Sequence, residues 1–430
     1  RNESGPQNEG ILVSLVGKKS NRFGLGARVV VQTSMDKHTR ILTSSRGYAS
    51  GCEPVVHFGL GTSTEILKLT VFWPSGAEQI LENLATGRHY RISEPATAPV
   101  SAPPAKPLSN KDSPVLFNEL PASGTGLDFT HVENRVDDFA TQPLLPNKLS
   151  RFGPALCAGD FNGDGLEDVF AGGAAGAAGE LFLRHKDGKF LSAPAGTAFT
   201  DYRHSEDIAA VALDADNDGD EDLYVVSGGN HADAQSPLYQ DRLYLNQGSG
   251  KFTLAPEGSL PKMRESGSCV AAADIDRDGD IDLFVGARLV PGNYPMPPVS
   301  RLLLNHGGRF TLATSAGLAP EGMITGAVFS DIDADGWMDL VTCMEWGPIS
   351  VWKNTGGTFT NIDSGTGMAS LSGWWNGISA GDIDGDGDPD FIATNFGLNT
   401  KYHASGKHPA LLYAADFGNG HMNVVEAEHT

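Results

Sequence analysis

Five acidic segments of nine residues are the part of this sequence best suited to chemistry. They read DFNGDGLED at 160–168, DADNDGDED at 214–222, DIDRDGDID at 274–282, DIDADGWMD at 331–339 and DIDGDGDPD at 382–390, and we number them loops 1 to 5. Positions 1, 3, 5 and 9 of every copy carry a carboxylate or amide oxygen, and position 6 is always glycine. Calcium takes six to eight oxygen ligands in a flexible shell, and glycine permits the sharp turn that brings alternate side chains together. The pattern therefore predicts one calcium ion in each loop, about five in all.

The predicted ligands are the side chains at those four positions, joined by the backbone carbonyl of position 7. They are Asp160, Asn162, Asp164 and Asp168 in loop 1, Asp214, Asp216, Asp218 and Asp222 in loop 2, Asp274, Asp276, Asp278 and Asp282 in loop 3, Asp331, Asp333, Asp335 and Asp339 in loop 4, and Asp382, Asp384, Asp386 and Asp390 in loop 5. Asn162 is neutral, so loop 1 is expected to bind the ion more weakly than the others.

Other interpretations of the loops are less consistent with the residues. An EF-hand needs a glutamate at position 12, where these loops have Ala171, Val225, Val285, Thr342 and Ala393. Zinc and copper prefer histidine and cysteine, which the loops lack. Magnesium stays open, although it demands a stricter octahedron. Acidic turns without any ion are disfavoured, because the loops hold 24 of the 53 acidic residues and neighbouring carboxylates repel one another.

The net charge of −22 is spread unevenly along the chain. Residues 1–96 carry 11 Lys+Arg and 8 Asp+Glu, whereas the remainder carries 20 and 45. A negative field of this kind repels nucleic acid and anionic membranes, so nucleic acid is not an expected partner. The sequence has no run of about 18 apolar residues, so no membrane span is predicted in it.

Short apolar runs on both sides of each loop predict β-strands. AAVAL precedes loop 2 and LYVVS follows it, and the other loops have similar flanks. A further strand and a Gly-rich turn come next, as in RLYLNQGSGKF, whose closing Phe is expected to cover the core. The loops begin 54, 60, 57 and 51 residues apart. Units of about four strands at this spacing predict an all-β fold, a β-propeller with five clear blades.

The rest of the chain predicts a second domain and an incomplete last blade. LLYAADFGNG at 411–420 predicts the start of a sixth unit with a degenerate loop, so the propeller of 115–430 is expected to stop before it is complete. Residues 95–114 are rich in proline and predict an extended linker. Ahead of it, 27–33 and 67–73 alternate apolar and polar residues, with Leu67, Leu69, Val71 and Trp73 on one face, which predicts a small all-β domain at 1–94.

The four cysteines do not predict a metal or redox motif. Cys52, Cys157, Cys269 and Cys343 form no CxxC pair. The last three fall in predicted buried strands of different repeats, so we expect free thiols that pack as small hydrophobic groups.

Several segments resemble known repeat families. The five loops and their flanking strands resemble the FG-GAP/VCBS repeats of integrin α-chain propellers and their bacterial relatives. The front domain resembles the ASPIC/UnbV domain of cartilage acidic protein and of bacterial surface proteins, through NRFGLGARVVV at 21–31, GYASG at 47–51, HFGLG at 57–61 and WPSG at 73–76. LPNKLSRFGPAL at 145–156, SGGN at 227–230, GWWNGIS at 373–379 and NFGLN at 395–399 are similar to that family's propeller. The resemblance implies an integrin-α-like propeller of about seven blades, calcium in its loops and an extracellular setting.

Together these features favour a calcium-binding scaffold, secreted or on the cell surface, whose ligand is a protein or a glycan. The segments 229–240 and 288–300 are candidate contacts, because we expect their aromatic residues to be exposed. An architectural spacer within a larger surface protein is the second hypothesis. A polysaccharide-active enzyme is the third, and it is disfavoured because GxSxG, HExxH and P-loop motifs are missing. It is also disfavoured because His57, His204 and His231 are interpreted as isolated, His57 as a core histidine.

Overall fold

The computed structural model divides the chain into two compact units. One comprises residues 1–117 and 399–401, and the other comprises residues 118–398 and 402–430. Described are residues 9–19, 27–35, 37–42, 55–73, 77–95, 121–193, 198–318, 320–333, 335, 337–381, 389–418 and 422–428. Several predicted features lie outside the described residues. They are Cys52, the GYASG segment, the predicted linker from residue 96 onward, and Asp382, Asp384 and Asp386 of loop 5.

The first unit is built from two β-sheets. Its strands are β1 (Glu9–Val16), β2 (Arg28–Gln32), β3 (Lys37–Ile41), β4 (Val55–Gly61), β5 (Glu65–Phe72), β6 (Glu78–Ala85) and β7 (Arg88–Ser93). One sheet has the order β4-β1-β7 and the other the order β3-β2-β5-β6. Alternate apolar residues of both sheets meet in one core, including Val13, Val29, Phe58, Leu69 and Val71. The predicted small all-β domain is thereby confirmed.

Two expectations for this unit are wrong. Leu67 is 41% exposed, whereas its neighbour Ile66 is fully buried. The alternation changes face at an interruption of the β5–β6 pairing, which skips Leu67 and Asn83, and Asn83 has a left-handed backbone with φ 55°. His57 is exposed because Val56 and Phe58 occupy the buried face of β4, so it is not a core histidine.

The second unit contains four blades of four antiparallel strands, and a single parallel bridge between Gly228 and Gly267 joins blades 2 and 3 into one eight-stranded sheet. Blade 1 is β8 (Leu156–Gly159), β9 (Asp168–Ala171), β10 (Glu180–Arg184) and β11 (Phe190–Ser192). Blade 2 is β12 (Glu206–Leu213), β13 (Asp222–Gly228), β14 (Arg242–Asn246) and β15 (Phe252–Leu254). Blade 3 is β16 (Ser266–Ala273), β17 (Asp282–Leu289), β18 (Arg301–Leu304) and β19 (Thr311–Leu312). Blade 4 is β20 (Met323–Ser330), β21 (Asp339–Glu345), β22 (Ile349–Thr355) and β23 (Thr358–Asn361).

Two further strand pairs follow the four blades. They are β24 (Trp375–Gly381) with β25 (Asp390–Asn395), and β26 (Leu411–Asp416) with β27 (Met422–Ala427). The helices of the described residues are short: α1 (Ala122–Thr125), α2 (Asp138–Thr141), α3 (Asp363–Thr366), and 3-10 turns at Ala198–Tyr202, Pro237–Tyr239, Met368–Ser370 and Gly397–Asn399. The fold is an all-β repeat propeller, as the sequence predicted. None of the helices among the described residues is long and apolar enough to cross a membrane.

The hydrophobic cores lie between successive blades. The closing phenylalanines Phe252, Phe310 and Phe359 are buried, and each joins a cluster that also contains side chains of the preceding blade. A blade with two apolar faces is stable only when neighbours cover both of them. Blades 2 and 3 approach so closely at Gly228 and Gly267 that a Cβ on either residue would clash with the other blade.

The described cysteines are free thiols, as predicted. Cys157 and Cys343 are buried and Cys269 is half-buried. Desolvation raises the pKa of Cys157 to about 11 and that of Cys269 to about 12, so both thiols are protonated near neutral pH and pack as apolar groups.

Candidate functional site

Loops 1 to 4 each join the first and second strands of their blade, and a repeated set of hydrogen bonds folds them. The carboxylate at position 1 accepts from the backbone N–H of the position 6 glycine, at 2.8 Å in loop 1, 3.1 Å in loop 2 and 3.2 Å in loop 3. Position 5 accepts from the N–H of position 7 at 2.9–3.0 Å in loops 1 to 4. The glycines Gly165, Gly219 and Gly279 have φ of 81°, 94° and 98°, a left-handed conformation that glycine adopts without steric cost. The recurring sequence thus gives a recurring turn.

Three of the loops bring predicted ligands together. In loop 2 the carboxylates of Asp214, Asp216 and Asp218 lie within 4.8 Å of one another. In loop 3 the group is Asp274, Asp276 and Asp282, and in loop 4 it is Asp331, Asp333 and Asp339. Oxygen ligands at this separation can share one hard divalent cation. Each group holds three of the four predicted side chains.

Loops 1 and 5 contribute less. In loop 1, Asn162 donates its side-chain N–H to Asp168 at 3.4 Å, and among the described residues this loop forms no carboxylate triad. Of the predicted ligands in loop 5, only the half-buried Asp390 is described. The ligand sets of all five loops remain predictions.

The aspartate at position 9 of loops 2, 3 and 4 is buried and links three parts of its blade. Asp222 accepts from the backbone N–H of Asn246 on the third strand at 2.7 Å and from that of Ala215 in the loop at 2.9 Å. Asp282 accepts in the same way from Asn305 and Ile275, at 2.8 Å and 3.1 Å. The same bonds recur at Asp339. The residue therefore positions the loop.

Burial shifts the acidity of these carboxyl groups. Desolvation raises the pKa of Asp222 and of Asp282 to about 6, with backbone N–H groups opposing the shift and neighbouring loop carboxylates adding to it. Desolvation also raises the pKa of Asp168 and of Asp339. A bound cation would favour the ionised form of each group.

A buried asparagine, which the sequence analysis missed, fastens each of loops 1, 2 and 3 to the next blade. The side chain of Asn246 in blade 2 donates to the backbone carbonyl of Phe161 in loop 1 at 2.8 Å. Asn305 in blade 3 donates to Ala215 in loop 2 at 2.9 Å, and Asn354 in blade 4 donates to Ile275 in loop 3 at 2.8 Å. The signal was present in the sequence, because LYLN, LLLN and VWKN end the third strand of three repeats.

Charged side chains also connect neighbouring loops. Asn217 of loop 2 donates to Asp280 of loop 3 at 2.6 Å, and the guanidinium of Arg277 lies 4.0 Å from the ring centre of Trp337 in loop 4.

A lysine of blade 4 contacts the loop of its own blade. The ammonium group of Lys353 lies against Asp333 and, at 3.2 Å, against Asp335. The corresponding positions of blades 2 and 3 carry Leu245 and Leu304. Among the three carboxylate triads described, only that of loop 4 is therefore contacted by a cationic side chain from the third strand of its blade.

A second group of titratable side chains lies at the opposite edge of the blades from the acidic loops. Glu206 begins β12, whose other end leads into loop 2, and it pairs across the sheet with Gly228. Oxygen and nitrogen atoms of His131, Glu133 and Glu206 lie within 4.8 Å of one another, and His231 Nδ1 is 4.0 Å from Glu206 Oε2. The sequence analysis interpreted His231 as isolated, and this contact with Glu206 shows that it is not. Only the i, i+2 spacing of His131 and Glu133 hinted at a shared face, since Glu206 is more than seventy residues away in the sequence.

The aromatic residues of the predicted contact loops are not exposed. Tyr239 and Tyr294 are both fully buried, because the hydroxyl of Tyr239 donates to the carbonyl of Ala232 and that of Tyr294 donates to Glu345. Apolar exposure in 288–300 comes instead from Met296 and Val299, which are 43% and 53% exposed.

Comparison with known proteins agrees with this architecture. The family described as ASPIC and UnbV matches residues 17–99, and the family described as FG-GAP-like repeat matches 160–225, 214–285 and 331–393. Those segments contain all five acidic loops, and each begins at the first aspartate of a loop. The chain therefore carries an ASPIC/UnbV domain followed by FG-GAP-like repeats.

Individual relatives match over short segments. Cartilage acidic protein 1 of Homo sapiens is 38% identical over 73 residues, 17% of this chain and 11% of that protein. The Xenopus tropicalis protein of the same name is 44% identical over 59 residues, 14% of this chain and 9% of that protein. Among solved structures, the Vibrio cholerae biofilm matrix protein Bap1 aligns with 58% of this chain and 35% of its own, at 17% identity and a TM-score of 0.28. The aligned segments thus span about a tenth of the curated relatives and about a third of the structural one.

Proposed function

We propose that this protein is a calcium-binding scaffold, extracellular or on the cell surface, that presents a propeller face to a protein or glycan ligand. The observation that carries the proposal is the convergence of three carboxylates in each of loops 2, 3 and 4, in repeats of the FG-GAP type. Calcium is the ion best matched to an all-oxygen set on a flexible loop. All twenty side chains predicted from positions 1, 3, 5 and 9 are proposed ligands.

The energetic role of calcium in this scaffold is to join blades as well as to neutralise loops. An ion held at ten times its dissociation constant stabilises the folded state by about 1.4 kcal/mol. About five such ions would contribute roughly 7 kcal/mol, which is comparable with the whole stability of a domain. Because Asn246, Asn305 and Asn354 bond to the loop of the preceding blade, an ion that orders one loop also restrains the blade beside it.

An extracellular setting is part of this proposal, and the FG-GAP-like repeats support it. Extracellular calcium modules have dissociation constants of about 10⁻⁴–10⁻³ M, so they fill outside cells and stay largely empty in the cytosol. The exposed Met296 and Val299 in the 288–300 segment are the proposed place of ligand contact, since exposed apolar side chains on loops commonly serve recognition.

The test is ligand binding with and without calcium. The full chain would be applied to arrays of defined glycans and purified matrix proteins, in millimolar calcium or in chelator. Binding that needs calcium and weakens in Met296→Glu, while the matched exposed variant Leu254→Glu binds normally, would support the proposal. No binding to any array in calcium would contradict it and favour the spacer hypothesis.

A further inference from the structure

The group formed by His131, Glu133, Glu206 and His231 is distinct from the acidic loops in composition and position. It combines two imidazoles with two carboxylates, whereas the loops offer oxygen alone. It is assembled from the segment before blade 1 and from both ends of the β12–β13 hairpin. We name it the His/Glu cluster.

Hydrogen bonding orients His131 as a ligand. Its Nδ1 lies 3.4 Å from the carbonyl oxygen of Gly172, which can only accept, so Nδ1 carries the proton in this contact. The lone pair of the neutral ring is then on Nε2, and Nε2 faces Glu133 Oε1 at 3.3 Å. An imidazole that donates from one nitrogen to a carbonyl and points the other at carboxylates has the outer-shell arrangement of metal-bound histidines.

Several polar atoms of the His/Glu cluster are buried without a hydrogen-bond partner. They are His131 Nε2, Glu133 Oε2, Glu206 Oε1, and both ring nitrogens of His231. Glu206 is fully buried and the side chain of His231 is only 6% exposed. The other oxygen of Glu206 accepts from Asn134 at 2.9 Å and from the N–H of Ala175 at 3.1 Å, which fixes the carboxylate and leaves Oε1 free. Buried polar atoms of native proteins nearly always have a partner, and one cation could serve the atoms of His131, Glu133 and Glu206, which lie within 4.8 Å of one another.

We propose that His131, Glu133 and Glu206, with His231 beside them, bind one divalent transition metal ion of the zinc class. Mixed imidazole and carboxylate ligands suit zinc and its neighbours, whereas calcium requires six to eight oxygens. An open pocket of about 390 Å³, lined by Asn134, His204, His231 and Leu238 among others, lies beside the cluster and gives the ion a path from solvent. The site is independent of the calcium loops and does not rest on the proposed function.

One rival position exists on the described surface. Asp278, Asp280 and His306 in and beside loop 3 also lie within 4.8 Å of one another. That group is largely exposed, and its Asp280 is already bonded to Asn217 and to the N–H of Gly307. Calcium saturation would occupy loop 3, so the two positions can be separated by experiment.

The test uses the full chain saturated with calcium and titrated with cobalt(II), a spectroscopic substitute for zinc, followed by zinc calorimetry. We expect one equivalent of zinc or cobalt, with the visible absorption typical of a site with nitrogen ligands and fewer than six ligands. His131→Gln and Glu133→Gln should each weaken binding at least about tenfold. His185→Gln, at an exposed histidine in blade 1, should leave it unchanged.

Two results would overturn the proposal. One is the loss of zinc binding in His306→Gln with retention in His131→Gln, which would place the metal at loop 3. The other is no zinc or cobalt uptake by calcium-saturated wild type, which would leave a metal-free ion pair between His131 and Glu133. Because the side chain of Glu133 is partly exposed, the Glu133→Gln variant is expected to fold, and circular dichroism would verify this. If that variant fails to fold, Glu133→Asp, which keeps the charge and shortens the side chain, replaces it in the same comparison.

Discussion

At the scale of single residues, the aspartate at position 9 has two competing roles. Its backbone hydrogen bonds hold the loop to the third strand, as at Asp222 with Asn246 and Ala215. Its burial beside other carboxylates makes ionisation costly, which raises the pKa of Asp222 to about 6. Without a cation the buried carboxylate therefore destabilises the fold near neutral pH, and a bound cation would remove that cost.

The pH dependence of stability should reveal this cost. In the unfolded chain Asp222 has its ordinary pKa of 3.8, below the folded value of about 6. The folded state therefore takes up the proton first, so stability in calcium-free protein rises as pH falls through about 6 and levels off below 3.8. We expect the melting temperature of wild type minus that of Asp222→Asn to increase from pH 8 to pH 5 in calcium-free buffer.

The control for that measurement is the same pair of proteins in saturating calcium. There the ion keeps Asp222 ionised, so the difference should instead shrink as protons displace calcium at low pH. A difference that is independent of pH in calcium-free buffer would contradict the assigned burial cost.

At the scale of elements, the third-strand asparagine ties successive blades together. Asn246 donates to the carbonyls of Phe161 and Glu221, at 2.8 Å and 3.0 Å, and its own side-chain oxygen accepts from Gly248. It is almost fully buried, so water cannot replace it without rearrangement. Its place at the junction of blades 1 and 2 makes it part of the propeller's packing.

Removing this side chain should therefore be costly. Asn246→Ala leaves buried carbonyl groups without a donor and is expected to lower the free energy of unfolding by about 1–3 kcal/mol. Denaturant unfolding in calcium would measure the change. Gln247→Ala, at the exposed neighbouring position, is the matched control and should change stability by less than about 0.5 kcal/mol. Equal effects of the two variants would mean that the asparagine does not join the blades.

Sequence periodicity predicted the elements well and their side-chain environments less well. The repeated apolar runs predicted the strands correctly, because a blade is covered by neighbours on both faces and its strands are therefore apolar on both sides. The exposed Leu67 lies where the pairing of β5 with β6 is interrupted at Asn83, and the buried Tyr294 bonds to Glu345 more than fifty residues away. Neither partner can be inferred from local alternation. The His/Glu cluster was missed for the same reason, since three separate segments assemble it.

At the scale of the whole molecule, the distribution of charge agrees with a scaffold that depends on cations. The propeller part carries most of the negative charge, and the five loops hold 24 of the 53 acidic residues. Five divalent ions would offset about ten negative charges and so reduce the self-repulsion that destabilises a compact state. Contacts between loops, such as Asn217 with Asp280, spread the effect of each ion beyond its own blade.

The most direct measurement is calcium titration of the full chain by calorimetry, with Asp276→Ala and Asp187→Ala as a matched pair. Asp276 belongs to the triad of loop 3, whereas Asp187 is an exposed turn residue of blade 1. The account predicts about five calcium ions bound to wild type and to Asp187→Ala, and about one fewer in Asp276→Ala. No calcium uptake at millimolar concentration, or equal uptake by all three proteins, would contradict it.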